Sequence, residues 1–118
     1  MKLKRQLRNT RRSLGVAELL QVMMRQEQYF LDRKRYAATL TDLGFPASPY
    51  AIDAQGNAGS ALAEDRIYLI ELSVNQGAYT LHAMPQLSQA ADRLCGTLSL
   101  DSTGAKRASG GGSARECW

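Results

Sequence analysis

Cys95 and Cys117 are the only two cysteines of the chain, and they bracket a segment that ends one residue before the C-terminus. The stretch from 109 to 113 reads SGGGS, so this segment has little apolar material to fold around. Two chemistries are open to the pair. As free thiols they would suit a reducing compartment. As a disulfide they would pin the loop, stabilise the fold by about 3 kcal/mol in the chain-entropy model, and require an oxidising compartment. No metal-ligand spacing surrounds them, and both lie in the half of the chain that reads as strand and turn, so the disulfide is expected. The single histidine, His82, falls on a predicted strand and reads as a surface residue. The chain contains no HExxH, GxSxG or P-loop motif, and no two carboxylates have an informative spacing. The roles that a catalytic site requires cannot be filled, so no enzyme, cofactor, metal or small-molecule substrate is expected.

Charge is unevenly spread. Of 15 basic and 11 acidic residues, Lys2, Lys4, Arg5, Arg8, Arg11 and Arg12 open the chain with no acid among them. The remainder is slightly acidic. The basic run carries no interleaved aromatic residue, so it reads as a solvated helix face or a stretch lying against lipid headgroups. Lys106, Arg107 and Arg115 form a smaller cluster in and near the loop at 95–117.

A chain of this length is one domain, and the elements that must position these residues follow from periodicity. Residues 3–35 are predicted as one amphipathic helix. Its packing face is expected to be Val16, Leu19, Leu20, Met23, Met24, Phe30 and Leu31, with Gly15 as a point of bending. Arg25, Arg33, Lys34 and Arg35 alternate with Glu18, Glu27 and Asp32, which suggests helix ion pairs. At roughly 50 Å the helix would be longer than a domain about 35 Å across, so its basic end, up to about Ser13, is expected to project. A short helical piece at 37–43 closed by Gly44, a loop at 44–65 and a sheet at 66–108 follow. The hairpin connection of that sheet is Asn75-Gln76-Gly77. The fold class is α+β, a long helix on an antiparallel sheet of three or four strands.

Three stretches carry a family resemblance. They are Arg25-Gln26-Glu27-Gln28-Tyr29-Phe30 with Tyr36 and Leu40 to Gly44, Tyr79-Thr80-Leu81 through Pro85, and Cys95-Gly96-Thr97-Leu98-Ser99-Leu100-Asp101 with Gly104 and the terminal Cys117-Trp118. Over about residues 11–118 the chain resembles minor type IV pilins of the PilE-like group, which also includes competence pilins. The resemblance implies the pilin fold with a C-terminal disulfide loop, here Cys95 with Cys117. It implies other major and minor pilins as partners, and anchoring in the inner membrane, facing the periplasm, before incorporation into an extracellular fibre. Family members open with a leader and an apolar helix of about 20 residues that can span a membrane. No such stretch is present, so Met1 is expected not to be the native start, and leader cleavage and N-methylation fall on no residue here. The function implied first is structural: assembly or priming of the pilus, and through it twitching motility and adhesion. A competence pilin that binds extracellular DNA through Lys106, Arg107 and Arg115 ranks second, because three cations are few for phosphate binding. A type II secretion pseudopilin is the third reading.

Overall fold

The computed structural model describes residues 2–118. Helix α1 spans Lys2–Arg33. It ends two residues earlier than its periodicity suggests because Lys34 takes a left-handed backbone, φ 62°, and its N–H closes the last turn on the Phe30 carbonyl. Strand β1 spans Tyr50–Asp53, β2 Ala58–Gly59, β3 Arg66–Asn75, β4 Ala78–Pro85, β5 Leu98–Asp101 and β6 Lys106–Ala108, and a four-residue helix α2, Ala114–Cys117, follows. One antiparallel sheet in the order β2-β1-β3-β4-β5-β6 joins all six strands. The α+β fold is thus a long helix on an antiparallel sheet with a disulfide-closed end.

The stretch 44–65 is not a plain loop. It supplies β1 and β2, which widen the sheet beyond four strands. Tyr50, Ala51 and Ile52 are all buried, so this strand lacks the alternation that would mark it in sequence. The helical piece expected at 37–43 is only the 3₁₀ turn Thr41–Leu43, closed by Gly44 at φ 90°. In the hairpin, Gln76 and Gly77 both adopt positive φ, as a twisted two-residue turn needs.

The helix packs through a face that coincides with the expected one only in part. Its buried residues are Arg12, Gly15, Glu18, Leu19, Val22 and Gln26. Leu19 is at the centre of the core, and Val16 and Met23 pack half-buried at its margin. Leu20, Met24 and Leu31 instead lie exposed on the outer side, while Phe30, though partly exposed, lies against Tyr36, which packs edge-on against Tyr79 of the sheet. The reason is that polar residues hold the inner face by bonding across it. Gln26 Nε2 donates to the Ala37 carbonyl at 2.9 Å, and the Ala37 N–H donates to Gln26 Oε1 at 2.8 Å. Tyr50 Oη donates to Glu18 Oε2 at 2.5 Å. Gly15 is no bend: a Cβ there would lie 3.0 Å from the Tyr68 ring, so the glycine admits that ring against the helix. The expected ion pairs along α1 are absent among the described residues. Arg25 lies over the Phe45 ring at 4.3 Å and donates to the Leu43 carbonyl.

Candidate functional site: a basic cleft against the disulfide loop

The first half of α1 does not simply project. Arg12 is buried and forms a two-pronged pair with Asp92, Nε to Oδ2 at 2.8 Å and Nη2 to Oδ1 at 3.1 Å. A 3₁₀ turn at Leu87–Ala91 leads into Asp92. From that turn Gln89 Nε2 donates to the Arg8 carbonyl and to Tyr68 Oη, each at 3.1 Å. Burial of the Tyr68 phenol pushes its pKa up to about 12. The helix is therefore docked from Arg8 onward, and residues 2–7 are exposed.

Cys95 and Cys117 are bonded, with Cα atoms 5.6 Å apart and both side chains buried. The glycine run lies alongside the segment entering Cys95. The N–H of Gly110 donates to the Cys95 carbonyl and that of Gly112 to the Leu94 carbonyl. A Cβ on Gly110 would collide with the carbonyl oxygens of Arg93 and Leu94, so only glycine permits this approach. Ser113 and Glu116 form a reciprocal capping box that starts α2. Those same bonds hold the Glu116 carboxyl below its ordinary pKa, so it stays charged. Trp118 seals the end, its Nε1 donating to the Arg107 carbonyl at 2.9 Å and its ring 5.7 Å from Lys106 Nζ.

Between α1 and this loop runs an open cleft of about 530 Å³, lined by Arg5, Arg8, Arg12, Asp92, Arg93 and Glu116 among others. Arg12 and Asp92 neutralise each other. Arg5, Arg8 and Arg93 pair with no carboxylate among the described residues, so three free guanidinium groups face one carboxylate. Three is no more than the cluster at Lys106, Arg107 and Arg115 offers, but here the three line one open surface, so the arrangement can receive a polyanion. It has no nucleophile–base pair, and among the described residues no three His, Cys, Asp or Glu side chains converge on a metal position.

The three cations singled out in sequence do not form one surface. Lys106 shares a sheet face with Leu100 and Ala108, the face that carries the core, while Arg107 shares the opposite face with Ser99. Arg107, itself exposed, lies 3.8 Å from the half-buried Asp101, a long and weak pair. Arg115 stands apart on α2, exposed beside Glu116. The residues missed as a site are Arg5, Arg8 and Arg93. The first two belong to a charge run visible in sequence, but that it passes the disulfide loop depends on the Arg12–Asp92 contact, which spans 80 positions. His82 sits on the outer sheet face between Glu71 and Ser99.

Among the described residues no helix is long and apolar enough to cross a membrane. A family model described as type IV minor pilin ComP, DNA uptake sequence receptor, matches residues 3–99. No curated protein matches the chain.

Proposed function

The chain belongs to the ComP family of type IV minor pilins, and from that premise we propose that it is a pilus subunit that takes hold of extracellular DNA in the basic cleft. The observation that carries this reading is the charge of the cleft: Arg5, Arg8 and Arg93 line one open surface and pair with no carboxylate among the described residues, in a chain whose family is described as a DNA uptake sequence receptor. Phosphates along the duplex replace condensed counterions at these guanidinium groups, which fixes the DNA without reading its bases. The Arg12–Asp92 pair holds the two walls of the cleft at a fixed separation, and the disulfide fixes the loop wall that carries Arg93 and Glu116.

The test is binding of a labelled duplex by the chain across a salt series. Three phosphate contacts give a slope of log affinity against log salt of about −3. Arg5→Glu with Arg93→Glu should lower affinity at least ten-fold, and Arg107→Glu should change it less than two-fold. Duplex binding indifferent to the cleft variants would overturn the reading.

Sequence alone ranks pilus assembly, twitching and adhesion ahead of DNA capture, and the family description supports the reverse order. A role in assembly keeps one observation in its favour. Leu20, Met24 and Leu31 form an exposed apolar stripe on the outer face of α1, at hand for a neighbouring pilin. Loss of DNA uptake with surface pili and twitching intact, in a strain lacking the gene, supports the receptor. Loss of pili supports the assembly role.

A further inference from the structure

The flank of α1 opposite the disulfide loop differs from the DNA cleft in one respect that phosphate binding does not use. It combines cations with exposed leucines. A second open cleft, of about 540 Å³, is lined by Lys4, Leu7, Arg8, Arg11, Ser88 and Gln89 among others, and no carboxylate borders it. Leu3 and Leu7 are one helical turn apart, so they share a face, and they are 73% and 47% exposed. Leu87 adds a third apolar side chain at 53% exposure. It borders Arg11 and Ser88, and Arg11 Nη1 donates to Ser88 Oγ at 3.1 Å, which joins the helix to this turn. The Leu87 backbone is left-handed, φ 54°, a costly conformation for a residue with a Cβ, and it leaves the side chain in solvent. Glu64, Asp65 and Arg66 line the adjoining cleft that Arg11, Leu87 and Ser88 also border, so carboxylates flank the surface on that side.

A polyanion in solution gains from the cations alone. A lipid surface gains from both classes: apolar side chains enter the boundary between headgroups and acyl chains, and Lys and Arg meet lipid phosphates. We propose that this flank docks onto an anionic lipid surface, with Leu3, Leu7 and Leu87 entering the headgroup boundary and Lys4, Arg8 and Arg11 facing the phosphates.

The test is flotation of the 118-residue chain with vesicles of phosphatidylcholine alone or mixed with phosphatidylglycerol. Binding should require phosphatidylglycerol. Leu3→Ser with Leu7→Ser should lower it at least ten-fold and leave duplex affinity within two-fold. Leu87→Gly should also lower vesicle binding, while raising the melting temperature by relieving the left-handed backbone. Arg93→Glu should weaken duplex binding and leave vesicle binding within two-fold, so failure of the DNA reading and failure of this one are distinguishable. Absence of binding to phosphatidylglycerol vesicles would overturn the proposal. So would leucine variants that bind vesicles as the parent does, or that lose duplex and vesicle binding in parallel.

Discussion

Gln26 sits wholly buried on the packing face of α1 and supplies both a donor and an acceptor to the backbone of Ala37. Gln26→Leu strands two buried backbone groups and should destabilise the chain by about 2–4 kcal/mol, read from urea unfolding with the disulfide intact. Asp92→Ala leaves the Arg12 guanidinium buried without its partner and should cost about 3–5 kcal/mol in the same measurement. A pattern of apolar spacings cannot find either residue, because both face inward through a specific partner distant in sequence. The same blindness explains why Leu20, Met24 and Leu31 read as core. Apolar residues recur on both sides of α1, and only the tertiary bonds decide which side turns inward. Tyrosine supplies a pH dependence. Burial raises the pKa of Tyr50 and Tyr79 well above the ordinary phenol range and that of Tyr68 to about 12. An unfolded tyrosine ionises near pH 10. Their contribution is therefore full below pH 10 and falls as pH rises above 10, the share of Tyr68 being lost as pH rises through about 12. Tyrosinate absorbance of these three should appear together with loss of near-ultraviolet dichroism. Ionisation that precedes unfolding would contradict the assignment.

Among the elements, the disulfide loop was the most legible, because two cysteines around a glycine run leave few alternatives. Its detailed path was not, since it rests on backbone bonds from Gly110 and Gly112 to residues 94 and 95. Replacing both Cys95 and Cys117 by Ser should lower stability by about 3 kcal/mol, consistent with a sequence separation of 22. Gly110→Ala should cost about 1–3 kcal/mol through overpacking and should speed reduction of the disulfide by an added thiol. Strands β3 and β4 and the turn between them were visible through alternation and through Gln76-Gly77. Strands β1 and β2 were hidden because β1 is covered on both faces and β2 has two residues.

At the scale of the whole molecule, the chain is elongated, 48 × 29 × 17 Å, and the long dimension is that of α1. Its charge is divided along that axis, with Lys2, Lys4, Arg5, Arg8 and Arg11 at one end. Limited trypsin digestion followed by mass spectrometry should remove the exposed residues up to Lys4 or Arg5 first. Cleavage should then stall before Arg12, whose side chain is held by Asp92. Cleavage at Arg12 as fast as at Lys4 would show that this half of the helix is not docked. The charge division was plain in the sequence, but its meaning was not, because the opposing wall comes from residues 92–94. The polar contacts along α1 also have a mechanical consequence. Arg12–Asp92, Glu18–Tyr50 and Gln26–Ala37 are spaced over about 21 Å of the rod. Tension drawn along the helix axis loads the first two, which tie the rod to Asp92 and to strand β1, in shear at once instead of peeling them one after another, while Gln26–Ala37 fastens the helix to its own exit. Strand β1 and the segment at Asp92 then share the pull.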